Sequence, residues 1–343
     1  MRKLNSLTIG AALCALAGAA AAQDTLVINS FGGAYEEAHR RLVIEPFEQM
    51  YNVKIEVVTA YSADALAQLR AQADSPQFDV IHFSGGQEIT AAKEGLLVPI
   101  APDQLTNYGD MYPFAVAGIE QGQGPVYSIA ALGLLYNTEE LAAAPTSWEA
   151  LFDPALAGGV AIADISNTYG LLTLLMLNQV RGGDLADIQP GLDAVTQLLD
   201  NDTVIVTASP EMQQAFATGG TVLAAYAQDY AHTLKEAGLP VEFVQPSEGV
   251  PAIFITANVV AGRPHTDLAI KFVDFSLRAE AQAGWAEELR YSPTNATVEL
   301  APEIAGSVLY GEEAIQGLIR FDAETVNDSR PAWTDAWNRT IAR

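Results

Sequence analysis

Twice in its first ninety residues the chain runs from a short apolar stretch into a hydroxyl, two glycines and the start of a helical pattern: "LVINSFGGAYEE" (Leu26–Glu37) and "VIHFSGGQE" (Val80–Glu88). A buried strand that stops in a polar, side-chain-poor corner where a helix begins is the repeating unit of an open α/β sheet. In such sheets the corners at the carboxyl ends of the strands are where ligands bind. One Gly-Gly pair is explained by a tight turn alone, so the rest of the chain has to decide. "VKIEVV" (Val53–Val58) reads as a strand between the two corners, and "ADALAQLRAQAD" (Ala63–Asp74) as an amphipathic helix with Leu66 and Leu69 on one side. Pro46 suits the first turn of a further helical segment, and Glu88–Glu94 reads as the helix after the second corner. This alternation predicts a mainly parallel sheet flanked by helices.

A second β/α set follows. "VYSIAALGLLYNTEEL" (Val126–Leu141) reads as a strand leaving the first lobe. Thr146 or Ser147 caps a helix at "TSWEAL", with Glu149 or Ala150 near the third position as a partial capping box. Val160–Ala163 reads as a strand with Asp164–Tyr169 as its polar exit, and Thr221–Leu234 as a strand ending in polar and aromatic residues. Val250–Pro264 reads as a strand returning to the first lobe, and Thr266–Leu289 as a long amphipathic helix with a threonine cap. With no internal repeat, low-complexity tract or floppy tether between the sets, two lobes joined by strands imply a hinge.

The amino terminus bounds the compartment. Arg2 and Lys3, the apolar stretch Leu7–Ala19 and the small residues Ala20-Ala21-Ala22 have the layout of a secretory leader cut after Ala22. The apolar part is shorter than the ~20 residues of a spanning helix. Leu13 before Cys14 argues against lipoprotein processing, and Cys14 is the chain's one cysteine, so an exported chain has no disulfide, thiol nucleophile or cysteine metal site. Two of the 17 basic residues and none of the 42 acidic ones fall before Gln23, leaving a formal charge of −27. That balance disfavours nucleic acid and anionic membrane surfaces as partners and says nothing about the ligand. About 320 residues accommodate two domains.

Signs of catalysis are missing. There is no G-x-S-x-G, H-E-x-x-H, Walker A or G-x-G-x-x-G motif. His39, His82, His232 and His265 show no metal-ligand spacing, and His82 sits inside an apolar strand without catalytic companions. What remains is the set of corners. Asn29–Tyr35 and Phe83–Gly86 present backbone N–H groups at helix starts, suited to an anionic or polar group. Tyr226, Asp229 and Tyr230 put aromatic faces beside a carboxylate, which suits an ammonium.

The stretches "FEQMYNVKIEVV", "LRAQADSPQFDVIHFSGGQE", "YSIAALGLLYNTEEL", "TSWEALFDPALAGGVAI" and "AIKFVDFSLRAEAQAGWAEELRYSPTN" together cover nearly the whole chain after the leader. In these the sequence resembles the periplasmic solute-binding proteins of ABC importers, and among them the spermidine/putrescine-binding group with its ferric-iron and γ-aminobutyrate relatives. The resemblance implies a two-lobed periplasmic-binding-protein fold of type II, each lobe a mainly parallel sheet flanked by helices, with the ligand cleft at the hinge. The expected division is a leader over 1–22, lobe I over 23–130 and 251–298, and lobe II over 131–250 and 299–343. It also implies a monomer in the periplasm that is not an enzyme, needs no cofactor, and carries a small-molecule solute to the membrane permease subunits.

Site positions carried over from the family are Ser30 and Phe31 at the first corner, Ser84 after the "FDV" strand, Tyr226 in the second lobe and Tyr291 before "SPTN". Gly85, Gly86, Asn167, Thr168 and Asp229 complete the expected ligand-binding set, with the Ser84–Gly86 corner facing Tyr226 and Asp229. The departures narrow the ligand. Where polyamine binders place an aromatic and a carboxylate on the return strand, this chain has Ile253 and Ile255. The tyrosine after the serine corner is Gly86, and the second-lobe acidic pair is reduced to Asp164 followed by Ser166, Asn167 and Thr168. The four tryptophans fall outside the expected pocket. A long dication would leave an ammonium poorly paired, which is costly. The expected ligand is therefore a small amine-bearing solute: a short polyamine or an amino-acid-like zwitterion, with the Gly-Gly corners as the anion's seat. Ferric iron held by Tyr169, Tyr226 and Tyr230, an enzyme on the same fold, and a sensor subunit remain as alternatives.

Overall fold

The computed structural model of the chain describes residues 23–311, 314, 315 and 317–342. The expected leader, with Arg2, Lys3 and Cys14, lies outside the described residues.

Among the described residues nine strands carry the architecture: β1 Thr25–Ser30, β2 Lys54–Thr59, β3 Val80–Phe83, β4 Val126–Asn137, β5 Val160–Ala163, β6 Val204–Val206, β7 Leu223–Ala227, β8 Val241–Val244 and β9 Ala252–Val259. The order is β2-β1-β3-β9-β4-β7-β5-β6, with β8 also paired to β4. β1 runs parallel to β2 and β3, and β9 runs antiparallel to β3 and β4. β5 runs parallel to β6 and β7, and β4 runs antiparallel to β7 and β8. Each half therefore has one strand against the rest: β9 in the first, β4 in the second. β4 belongs to both halves, since Val126–Ala131 pairs with β9 and Leu132–Tyr136 with β7. A single twelve-residue strand thus pairs with both halves of the sheet.

β3 and β5 are buried at every position, as short β-branched strands covered on both faces should be. Val80 of β3 and Val160 and Ile162 of β5 enter one large apolar core that runs through both halves, while Ile81 and Phe83 pack into a second cluster and Ala161 and Ala163 into a third. Pro46 lies in the first turn of helix Glu45–Tyr51, as expected. Ser147 caps a short 3₁₀ turn, Trp148–Phe152, by accepting from the Glu149 amide at 3.1 Å.

Two elements differ from the sequence reading. Thr221–Leu234 is not one strand: β7 ends at Ala227, and Gln228–Glu236 is a helix with Asp229 in its first turn, where the helix dipole favours an acid. The small residues of "LAAYAQDYA" fit either period. Thr266–Leu289 is two helices, Thr266–Ser276 and Ala279–Leu289, broken where Arg278 turns extended at φ −62°, ψ 144°. No glycine or proline marks that break. The structure adds a 19-residue C-terminal helix, Ala323–Ile341, packed on helix Gln189–Asp200 of the second half and on helix Gln87–Lys93 of the first. Trp337 Nε1 ties it to Asp164 Oδ2 at 2.9 Å. No helix among the described residues is long and apolar enough to cross a membrane.

Candidate functional site

The carboxyl ends of β1 and β3 face those of β5, β6 and β7, and a cavity of about 560 Å³ lies between them. Each corner contributes. Phe31, Gly32 and Tyr35 follow β1; Ser84 and Gln87 follow β3; Asn167, Thr168 and Tyr169 follow β5; Thr207 and Gln213 follow β6; Asp229 and Tyr230 follow β7. Ile253 and Ile255 of β9 form an apolar floor, and Tyr291, Arg330 and Thr334 close the far wall. Gly32 sits at φ 74°, ψ −177°, a conformation open to glycine, and so lets β1 turn sharply into its helix. The Ser84 amide donates to Ser62 Oγ at 2.9 Å, which fixes the second corner.

Asp229 is the dominant charge of the cavity. It is buried, its Oδ2 accepts from the Tyr291 hydroxyl at 3.1 Å, and its Oδ1 has no partner. Burial pushes its carboxyl up to about 7, while the hydrogen bond from Tyr291 and the amides of Asp229 and Tyr230 pull the other way. Tyr169, Tyr226 and Tyr230 pack edge to face behind it, with centroids 4.7, 4.9 and 6.4 Å apart. A buried carboxylate with a spare oxygen among aromatic rings can pair with one ammonium and surround its alkyl stem.

The corner after β3 serves a different neighbour. Asn327 Nδ2 donates to Gly86 O at 2.7 Å and an Arg330 terminal nitrogen to Gly85 O at 3.3 Å, both from the C-terminal helix. A side chain at Gly86 would press on Ala323, and Gly86 itself sits at φ 82°. A side chain at Gly85 would press on Gln87 and on the Thr168 hydroxyl across the cleft. The C-terminal helix and Thr168 therefore both touch the corner after β3.

Of the residues named from sequence, the cavity wall contains Phe31, Ser84, Asn167, Thr168, Asp229 and Tyr291. Ser30, Gly85, Gly86 and Tyr226 are not on the wall. Ser30 and Tyr226 are fully buried behind it, Tyr226 beneath the Tyr169 and Tyr230 rings. The glycines meet the C-terminal helix instead of the opposing Tyr226. Sequence reasoning missed Gln87, Arg330 and Thr334. Arg330 had a legible mark: Val326, Arg330, Trp333 and Trp337 share one helical face, and an arginine stands where that stripe calls for an apolar residue. None of the four tryptophans lines the cavity; Trp285 lies beneath it, stacked on Tyr35 at 4.9 Å.

His39 and His82 form a buried edge-to-face pair 5.0 Å apart. Burial holds His82 down to about 4 and His39 well below the usual histidine range, so both are neutral packing groups. Among the described residues no cluster of three or more His, Cys, Asp or Glu could hold a metal. A second concavity of about 690 Å³ lies beside helix Gln228–Glu236, but Lys235 and Glu242 on its wall already pair with each other.

Residues 43–310 match the family described as bacterial extracellular solute-binding protein. The γ-aminobutyric acid-binding protein of Pseudomonas aeruginosa PAO1 is 26% identical over 345 residues, covering 96% of each chain. The spermidine/putrescine-binding periplasmic protein of Escherichia coli K12 is 22% identical over 272 residues, covering 77% of each. The crystal structure of an ABC transporter substrate-binding protein from Bradyrhizobium japonicum USDA 110 superposes with a TM-score of 0.78 at 18% identity, over 93% of this chain and 99% of that one.

Proposed function

The chain belongs to the bacterial extracellular solute-binding proteins, and on that premise we propose that it is the periplasmic receptor of an ABC importer for a small solute bearing one primary ammonium. The observation that carries this reading is Asp229: a buried carboxylate on the cavity wall, one oxygen unpartnered, enclosed by tyrosine rings. A buried charge without a counter-charge is costly, and an ammonium is the solute group that relieves it. The names of the γ-aminobutyrate- and polyamine-binding relatives support an amine. Solute capture closes the two halves about β4 and β9, and the closed form docks on the permease. The protein acts as a monomer, without a cofactor and without turnover.

Native mass spectrometry of protein taken from the periplasm without refolding, followed by calorimetry with alkylamines, diamines and amino acids, tests the reading. An amine of matching mass is expected. If no amine-bearing compound binds, the reading fails. The tyrosines around Asp229 keep ferric iron as the second reading; its mark would be an added iron mass and a visible tyrosinate-to-iron absorption band.

A further inference from the structure

The cavity wall carries a second charged group, half-buried, that the amine reading does not use. Among the described residues, Arg330 is the only basic one on its wall. The Nε of Arg330 is buried without a hydrogen-bond partner, and one terminal nitrogen bonds Gly85 O at 3.3 Å. Among the described residues no carboxylate forms an ion pair with it, in a chain whose mature part has a formal charge of −27. Burial alone disfavours its charge, with no acidic neighbour offsetting the effect, and Asp229 is likewise not among the groups that perturb it. A guanidinium does not lose its proton in a protein, so the cleft carries one negative and one positive pole that do not neutralise each other.

Three further groups converge on the same corner. Two donors, the Thr168 hydroxyl and the Gln87 Nε2, each lie 3.1 Å from where a Cβ on Gly85 would stand. Thr168 opens a 13-residue helix whose first turn faces the cavity, adding the positive end of its dipole to the guanidinium. The other acidic residues on the wall, Glu37 and Asp64, are exposed at its rim. We propose that Arg330, Thr168 and the amino end of helix Thr168–Val180 form an anion subsite, and that the solute is a zwitterion: an amino acid whose carboxylate sits on Arg330 while its ammonium sits on Asp229.

This rests on the amine reading for its other pole and extends it. Arg330 also excludes a dication, because a second ammonium would meet an unpaired cation. The site exists only when the halves are together, since Arg330 spans from the C-terminal helix to Gly85; an anion bound there favours the closed form.

Calorimetry with the full-length mature protein tests it, using ω-amino acids of two to six carbons, the matching alkylamines and α,ω-diamines, and aminoalkyl phosphates. The best ω-amino acid is expected to bind at least tenfold more tightly than the alkylamine and the diamine of the same length. Arg330→Gln is expected to abolish that preference, lowering the affinity for the ω-amino acid at least tenfold more than that for the alkylamine. Arg330-dependent preference for the phosphate over the carboxylate would keep the anion subsite and assign it to phosphate. Equal binding of diamine and amino acid by the unaltered protein overturns the proposal and leaves the amine reading intact. An equal loss for all ligands in Arg330→Gln also overturns it, since Arg330 would then serve closure alone. If only compounds without an amine bind, and Arg330→Gln removes that binding, the amine reading and the zwitterion fail together while the anion subsite survives. If nothing in the panel binds, both proposals are wrong.

Discussion

The hydroxyl of Tyr291 lies 3.1 Å from Oδ2 of Asp229, 62 residues earlier in the chain. Tyr291 follows helix Ala279–Leu289, which packs on both Gly33–His39 of the first half and Gln228–Glu236 of the second. The hydrogen bond therefore holds the buried carboxylate with a side chain from the segment that ties the two halves together. It also fixes which oxygen is left for a ligand.

Replacing the carboxylate by its neutral isostere removes the charged partner but keeps the shape. Asp229→Asn should lower the affinity for an amine by about 1.5–3 kcal/mol, the range of a charged hydrogen bond. Tyr291→Phe removes only the supporting donor and should cost about 1 kcal/mol. Unchanged amine binding in Asp229→Asn, measured by calorimetry, would make the carboxylate a structural group.

The protonation of Asp229 gives the binding a pH dependence. With its carboxyl at about 7 in the empty site, the protonated form dominates below neutrality, and only the ionised form pairs with an ammonium. Amine affinity should fall toward tenfold per pH unit below about pH 7 and level off above it. Binding at pH 6 should release a proton, visible as a dependence of the heat on buffer ionisation enthalpy. Tyr291→Phe should move the midpoint upward, because it removes a hydrogen bond to the ionised form. A flat affinity between pH 5.5 and 8.5 would contradict this.

Glu88 offers a stability test away from the cavity wall. It is buried, its Oε2 has no partner, and burial raises its carboxyl from 4.5 to about 7. A raised folded value means the group's contribution is fully present below 4.5 and is lost as pH rises through 7. At pH 8 its ionisation costs at most about 3 kcal/mol by linkage. Glu88→Gln should therefore raise the melting temperature at pH 8 and gain little at pH 5. His82, held at about 4, has the opposite sign and destabilises the fold as pH drops from 6.5 toward 4, so the two trends should be read in the same variant pair. A variant less stable than the parent at pH 8 would mean that the hydrogen bond between Glu88 and Thr256 outweighs the cost of ionisation.

The strand-to-helix corners were legible because their chemistry is local: an apolar run, a hydroxyl, a glycine and a helix start lie within ten residues, and β3 and β5 begin and end where the sequence places them. The place of Asp229 on the cavity wall was legible for the same reason, as an acid among tyrosines. The role of Gly85 and Gly86 was not. Their partners, Asn327 and Arg330, are about 240 residues away, and no local pattern distinguishes a glycine that admits a ligand from one that admits a helix. Tyr226 lies behind the wall because β7 ends at Ala227 and the helix that follows brings Tyr230 over it, while Tyr169 covers it from the end of β5, a remote part of the chain.

That reassignment yields a prediction about closure. Asn327 is outside the cavity wall, and its Nδ2 reaches Gly86 O at 2.7 Å from a helix that Trp337 and Asp164 tie to the second half and that Arg330 and the Lys93–Glu324 pair also hold to the first. The bond spans the two halves, so it exists only when they are closed. Asn327→Ala should leave the melting temperature of the empty protein nearly unchanged if the empty protein rests open. It should weaken ligand binding by about 0.5–1.5 kcal/mol, the net worth of one hydrogen bond, although no ligand contact is lost. Gly86→Ala should weaken binding further, since its methyl would meet the Ala323 methyl at 3.1 Å. It should also destabilise both forms by about 1 kcal/mol, because a residue with a Cβ is held at positive φ. Small-angle scattering separates the two effects: at saturating ligand the parent should contract, and Gly86→Ala should contract less at the same occupancy. If Asn327→Ala binds as tightly as the parent and contracts as fully, the C-terminal helix is a passive neighbour of the corner and closure is driven by the ligand alone.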